Sequence, residues 1–226
     1  MAGSSKRALL AQIGGLITLG GMLNRGRLFV IAAPSGTGKT SLVKALMQRQ
    51  PTLKFSVSYT TRKPRPAEID GQDYHFVSKE TFQRMIAAGE FLEHAQVFDN
   101  FYGTGVQLVT DALERGQDLL LEIDWQGAQQ VRKRLPECRS IFILPPSRAA
   151  LEQRLRARST DTDSVIERRL RDSVTELSHW KEFDHIVVND QFEHALAHLT
   201  AIVEGRTASS SPATPDITAL AAALLA

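Results

Sequence analysis

The stretch Phe29-Val30-Ile31-Ala32-Ala33-Pro34-Ser35-Gly36-Thr37-Gly38-Lys39-Thr40-Ser41 constrains the fold more than any other. A short apolar run ends in a loop of small residues, and Leu42, Val43, Leu46 and Met47 then recur at helical spacing, so the chain from Thr40 onward reads as a helix. Strand, glycine loop, Lys-Thr and helix together describe a P-loop, G-x-x-x-x-G-K-[ST], whose backbone N–H groups surround phosphate. Gly36 and Gly38 let the backbone approach anionic oxygens with no Cβ in the way. Lys39 supplies a point charge to β- and γ-phosphates, and the Thr40 hydroxyl can sit on Mg²⁺. Ala33 stands where the pattern has its first glycine; alanine resists a positive φ, so the loop is expected to differ slightly there. The bland alternative is an ordinary strand-to-helix turn rich in small residues, and Gly38-Lys39-Thr40 between a strand and a helix argues against it.

A chain of 226 residues suits one α/β domain with smaller insertions. Its 42% hydrophobic and 23% charged residues are ordinary for a globular protein. A formal net charge of +2 argues against a general nucleic-acid binder. One cysteine, Cys138, excludes an intramolecular disulfide and a cysteine-based metal site, and it fits a reducing cytoplasm. The apolar run at residues 8–23 follows Lys6 and Arg7, but it is too short and glycine-rich for a membrane span. Residues 1–26 therefore read as a poorly ordered extension, and Met22, just before the first strand, as an alternative start.

Along the chain, Pro51 stops the first helix and residues 54–59 read as one strand. Thr61-Arg62-Lys63-Pro64-Arg65-Pro66 is a poor helix and a good anion-gripping loop. Residues 74–77 resume as a strand. Ser78 is an N-cap for a helix to Ala88 that Gly89 ends. Residues 91–97 read as a strand, 100–105 as a loop, and 106–115 as a helix stopped by Gly116. Leu119-Leu120-Leu121 is continuously apolar, as in a buried parallel sheet, and this strand of residues 118–124 places Asp124 at its carboxyl end, where ligands of open α/β sheets collect. A helix to Leu135, a strand at 140–144 and an arginine-rich helix after Ser147 follow. Ser164-x-x-Glu167 is a capping box for a long helix to about residue 181. Residues 185–189 form the last strand, and Asp190-x-x-Glu193 caps the helix ending at Gly205. Residues 206–226 are low in complexity: disorder to about Asp216, then a loose helix.

This order predicts a P-loop kinase core, a parallel sheet flanked by helices, interrupted by one mixed α+β insertion and one helical insertion. The core covers residues 27–53, 117–146 and 172–205, the first insertion 54–116 and the second 147–171.

Ser56-Val57-Ser58-Tyr59-Thr60-Thr61-Arg62-Lys63-Pro64-Arg65 resembles the GMP-binding segment of guanylate kinases. Gly71-Gln72-Asp73-Tyr74-His75-Phe76, Glu90-Phe91-Leu92-Glu93, Tyr102-Gly103-Thr104 and Ile123-Asp124-Trp125-Gln126-Gly127 continue the match in order, over about residues 27–204. The resemblance implies transfer of the γ-phosphoryl group of ATP to GMP, giving ADP and GDP, with Mg²⁺ as cofactor, in cytoplasmic purine nucleotide metabolism. It implies no nucleic-acid or membrane partner.

By that resemblance, Ala33, Pro34, Ser35, Gly36, Thr37, Gly38, Lys39, Thr40 and Ser41 bind ATP. Arg62 and Arg65, with Tyr74 and Tyr102, match the positions that hold the GMP phosphate, a dianion that arginine's planar fork suits. Glu93 matches the guanine reader: a carboxylate accepts from N1–H and N2–H₂ together and repels the N1 lone pair of adenine. Ser58 and Thr104 match hydroxyl contacts, Thr104 standing where serine is common. Asp124 matches a second acid near the base, and an acid at a strand end beside a P-loop also orients hydrated Mg²⁺; the spacing supports both roles. Arg154 and Arg158, one helix face at i, i+4, and Arg169 on the next helix match the lid arginines. With Lys39 these form the catalytic set, and no general base is required because the attacking GMP oxygen is already ionised. In isolation, Glu93 would read as a surface carboxylate, the tyrosines as packing residues, and Arg62 and Arg65 as a solvated loop.

Arg132, Arg134, Arg156, Arg168 and Arg171 read as solvated surface charges, and Trp125 and Trp180 as packing residues. No histidine shows metal-ligand spacing. Two other functions remain in view. A P-loop kinase of another phosphorylated acceptor, such as a ribose bisphosphate, need not carry Glu93 with Tyr74 and Tyr102. A non-catalytic guanylate-kinase-like interaction module would lack the intact Gly38-Lys39-Thr40.

Overall fold

The computed structural model describes residues 25–97, 99–157, 163–206 and 216–225. The expected extension of residues 1–26 lies outside them save for its end, where the Gly26 N–H donates to the Leu113 carbonyl at 2.8 Å. Arg158 also lies outside the described residues.

Strand β1 (Leu28–Ala32) is buried along its whole length. Alternation of side chains sends Leu28, Val30 and Ala32 to one apolar cluster and Phe29 and Ile31 to another. Its neighbours β7 (Leu119–Glu122) and β8 (Arg139–Leu144) divide in the same way, Leu119, Leu121, Phe142 and Leu144 on one face and Leu120, Ile141 and Ile143 on the other. With β2 (Lys54–Phe55) and β9 (His185–Val188) they form a five-stranded parallel sheet of order β2-β7-β1-β8-β9. Helices α1 (Lys39–Arg49) and α7 (Phe192–Val203) cover one face. Helices α3 (Val106–Glu114) and α4 (Trp125–Arg134) cover the other. The α/β core is thus the one expected.

The insertion is a mixed sheet of order β4-β3-β6-β5, made of β3 (Tyr59–Thr60), β4 (His75–Phe76), β5 (Phe91–Val97) and β6 (Asn100–Gly105). Its helix α2 (Lys79–Ala88) has the expected caps: the Ser78 hydroxyl accepts from the Thr81 N–H, and Gly89 takes φ 71°. Two readings of this region need correction. The single strand at residues 54–59 is two strands in two sheets, β2 pairing with β7 in the core and β3 with β4 and β6, so the chain crosses between layers at residues 56–58. Residues 100–105 are not a loop; β6 pairs antiparallel with β5 and sets Glu93 opposite Thr104. The glycines that suggested a loop serve close approach instead, since a Cβ at Gly103 would lie 2.9 Å from the Phe91 ring and 3.0 Å from the Glu93 carbonyl.

Beyond β8, Ser147 caps α5 (Arg148–Arg156), and α6 (Asp163–Leu177) follows. Ser164 falls inside the first turn of α6, not before it. The helix stops at Leu177, and Trp180–Glu182 forms a separate 3₁₀ turn. Asp190 is not the cap of α7 either: that position is Gln191, without a side-chain cap. α6 runs unbroken across the expected boundary between residues 171 and 172.

The tail departs most. Residues 207–215 lie outside the described residues, but α8 (Ile217–Leu225) is a docked helix, not a loose one. Asp216 accepts from the Thr218 and Ala219 N–H groups at 2.9 and 3.1 Å. Ile217, Leu220, Ala221 and Leu224 share a stripe that packs beside α6, where Leu224 is 1% exposed and joins the cluster containing Leu177 and Phe183. Removing residues 207–226 is expected to lower the thermal midpoint by about 3–8 °C; an unchanged midpoint would show that α8 contributes nothing to the fold.

Candidate active site

The carboxyl ends of β1 and β7 and the first turn of α1 meet at the P-loop. Gly36 and Gly38 both take φ 90°, a conformation L side chains rarely adopt. Ala33, in the first glycine's place, packs against the apolar cluster under α1. The buried Thr37 closes the loop on itself, its hydroxyl donating to the Pro34 carbonyl at 2.8 Å. From outside, the Thr37 carbonyl accepts from Asn189 Nδ2 at 2.6 Å and Arg154 Nη1 at 3.2 Å, and Arg154 Nη2 donates to the Asn189 carbonyl at 2.9 Å. Lys39 Nζ donates to the Ile123 carbonyl at 3.0 Å, and the Thr40 hydroxyl to Glu122 Oε1 at 2.8 Å.

Opposite the loop stands Glu93, 3% exposed. Its cross-strand neighbour Thr104 donates a hydrogen bond of 2.6 Å to Oε1. Burial, reinforced by the nearby Asp124, pushes its pKa up to about 7, while the Thr104 bond opposes the rise. Gly127 leaves room for this carboxylate, since a Cβ there would lie 2.5 Å from Oε2. Asp124 caps α4 by accepting from the Gly127 N–H at 2.7 Å. Burial raises its pKa, against the pull of that bond and of Lys39.

Arg62 is a forked donor to Glu68, Nη2 to Oε1 at 2.7 Å and Nη1 to Oε2 at 2.9 Å. The pairing draws Glu68 down to about 2. The guanidinium lies 5.3 Å from the ring centre of Tyr74, which is 6.0 Å from that of Tyr102. Arg65 is exposed.

One cleft of about 340 Å³ joins these parts. Residues 33–40 line it on one side, Ser58, Tyr74, Glu93, Tyr102 and Asp124 on the other, and Arg169 from α6 on a third. Thr104 does not line the cleft; its hydroxyl meets two residues that do, Glu93 at 2.6 Å and Ser58 at 3.5 Å. Ser41, Arg62, Arg65 and Arg154 do not line it. Arg154, expected in the lid, bonds the P-loop carbonyl of Thr37, so of the arginines expected in the lid the one that lines the cleft among the described residues is Arg169.

The sequence reading missed four residues. Glu122 holds the Thr40 hydroxyl, a place considered only for Asp124; a second acid two residues earlier on the same strand was the available signal. Asp172 and Glu176 line the cleft from α6, three and seven residues after Arg169. Asn189 has no sequence signal beyond its place at a strand end. Two arginines taken as solvated are not: Arg134 donates to the Phe91 carbonyl at 2.5 Å, and Arg132 lies over the Phe183 ring and pairs with Glu182 at 2.7 Å. Trp125 packs as expected, stacked on His179 at 3.6 Å.

The family model for guanylate kinase matches residues 25–206. The chain belongs to the guanylate kinase family. A guanylate kinase of Methylococcus capsulatus is 53% identical over 203 residues, covering 90% of this chain and 100% of the relative. One of Thiobacillus denitrificans is 55% identical over 177 residues, covering 78% and 85%. The crystal structure of guanylate kinase from Anaplasma phagocytophilum superposes with a TM-score of 0.66 at 34% identity, covering 80% of this chain and 86% of that one. As a guanylate kinase, the chain is a nucleoside monophosphate kinase, and the ribose bisphosphate kinase and interaction-module readings are not favoured. The family model ends before α8 begins. Among the described residues no helix is long and apolar enough to cross a membrane.

Asn189→Ala leaves the buried Thr37 carbonyl with Arg154 alone. We expect it to cost about 1–3 kcal/mol of stability in urea unfolding; a loss within experimental error would remove Asn189 from support of the loop.

Proposed function

We propose that the cleft holds ATP on residues 33–41 and GMP between Ser58, Tyr74, Glu93 and Tyr102, and passes the γ-phosphoryl group directly between them to give ADP and GDP. The observation that carries this reading is that one cleft is lined both by a P-loop and by a buried carboxylate aimed into it. Guanine offers N1–H and N2–H₂ donors side by side, and the ionised Glu93 accepts both, with Thr104 fixing its orientation and Asp124 beside it. Arg62, stacked on Tyr74, and Arg65 supply positive charge on the phosphate side of the acceptor.

The donor set fits Mg²⁺. The Thr40 hydroxyl and the Glu122 carboxylate are hard oxygen donors already in contact, with Asp124 two residues on. Among the described residues no cluster of three or more metal-binding side chains occurs, which suits an ion held largely by phosphates and water. When bound, the ion neutralises charge on the phosphates. Thr40 would hold it, with Glu122 and Asp124 orienting its water.

Phosphoryl transfer needs positioned charge and exclusion of water more than covalent chemistry. Lys39 and Arg169 face the cleft to meet charge on the transferring group; Arg154 holds the loop that presents it, and Arg158 is assigned with them by the resemblance. The GMP oxygen that attacks is already ionised, so no side chain has to take a proton. A cytoplasmic setting suits these substrates and a buried free thiol at Cys138.

ADP release measured with GMP, AMP, UMP and CMP tests the assignment, and no turnover of GMP at saturating Mg-ATP would overturn it. Lys39→Ala is expected to lower kcat roughly 10²-fold or more with a small effect on GMP binding. Glu93→Gln should narrow the preference for GMP over AMP by about 10–100-fold, because an amide cannot accept from both donors. Since Glu93 titrates near 7, lowering the pH protonates the acceptor, and KM for GMP should rise roughly tenfold from about pH 8 to about pH 6. That step should be absent in Glu93→Gln; the same step in both proteins would assign it to GMP.

A further inference from the structure

Arg169, Asp172 and Glu176 follow one another at spacings of three and four along α6, so they lie on one face, and all three line the cleft. Glu176 lies beside the P-loop. Its carboxylate faces the backbone N–H of Ser35 and is close enough to Lys39 and Asp124 to feel both charges. A carboxylate there is not a phosphate ligand, because two anions repel. Its contribution is positional.

The packing of α6 says what it positions. The carboxyl end of the helix is bolted to the core: Leu177 is 2% exposed, and the His179 that follows stacks on Trp125 and pairs with Glu182 at 2.6 Å. The amino-terminal half, which carries Arg169, packs in a small cluster with α5, Ile166 and Leu170 against Leu151 and Leu155. Glu176 lies in the last turn, next to Leu177, where the helix passes the P-loop. Arg169 is two turns ahead, about 10 Å along the axis. A lever of that length turns a small slip at Ser35 into misplacement of the guanidinium.

We propose that Glu176 is a positioning residue for phosphoryl transfer: its carboxylate holds α6 in register with the P-loop at Ser35 and thereby places Arg169 against the phosphates. The inference rests on the role given to Arg169 above. It is tested with Glu176→Ala, Glu176→Gln, Arg169→Ala and the double variant Glu176→Ala/Arg169→Ala, by steady-state kinetics and thermal unfolding of the full chain.

Glu176→Ala should lower kcat between about tenfold and a hundredfold, with KM for GMP within about twofold and no fall in thermal midpoint, since burying a carboxylate does not stabilise the fold. Glu176→Gln keeps an oxygen acceptor and should recover kcat to within about threefold of the wild type. Because Glu176 acts through Arg169, the double variant should be no slower than Arg169→Ala. Losses that multiply in the double variant, or Glu176→Ala with wild-type kcat, overturn the proposal. Should Glu176→Ala fail to fold, the isosteric Glu176→Gln decides: within about threefold of the wild type supports it, and a larger loss overturns it. The cycle is read with whichever monophosphate the wild type turns over, so failure with GMP would count against the substrate assignment and leave this inference to its own result.

Discussion

The cleft depends on one strand being buried on both faces. β1 is apolar at every position, fully enclosed, and paired in parallel with β7 and β8. Nothing about it can adjust without opening a cavity in one of two clusters. The loop it feeds therefore starts from a fixed point, and the left-handed backbone at Gly36 and Gly38 is held by bonds that the Thr37 carbonyl accepts from two later parts of the chain. A phosphate cradle made of backbone N–H groups is only as exact as the scaffold behind it.

Around that loop the protein gathers more negative than positive groups. Glu93, Asp124 and Glu176 all have pKa values raised by burial, and Glu122 stands beside Thr40. For a cleft assigned to two phosphorylated substrates this looks unfavourable, yet the carboxyl groups divide their work by what each faces. Glu93 is turned toward donors on the insertion side, Asp124 caps α4, Glu122 meets a hydroxyl, and Glu176 meets the backbone of the loop. Opposite charge comes from Lys39 within the loop and from Arg169 on a helix whose other end is pinned to the core.

Much of this was legible along the chain because it is written locally. The P-loop, the caps of α2 at Ser78 and Gly89, the triple leucine of β7 and the apolar spacing of α1 each occupy a few consecutive residues whose chemistry allows one conformation. The failures share a cause as well. Residues 100–105 looked like a loop because Gly103 and Gly105 weaken strand propensity, but the glycine is there for Phe91 and Glu93, on another strand. Asp190 has capping chemistry, but the cap position of α7 is Gln191, one residue later. The stripe of α8 shows in Ile217, Leu220, Ala221 and Leu224, but nothing in the tail says that a complementary surface beside α6 exists.

By itself the sequence determined the class of fold, the phosphate loop, and the kinds of side chain available to a purine monophosphate, because spacing and residue type act over short distances. Tertiary structure alone decided which of those side chains reach the cleft. It turned Arg154 behind the loop and left Arg169 in front, gave the Thr40 hydroxyl to Glu122, raised Glu93 toward neutrality by enclosing it, and brought Asn189 and Glu176 to the loop from far along the chain. Each of these depends on distance and burial between segments remote in sequence, and a linear chain carries no record of either until it folds.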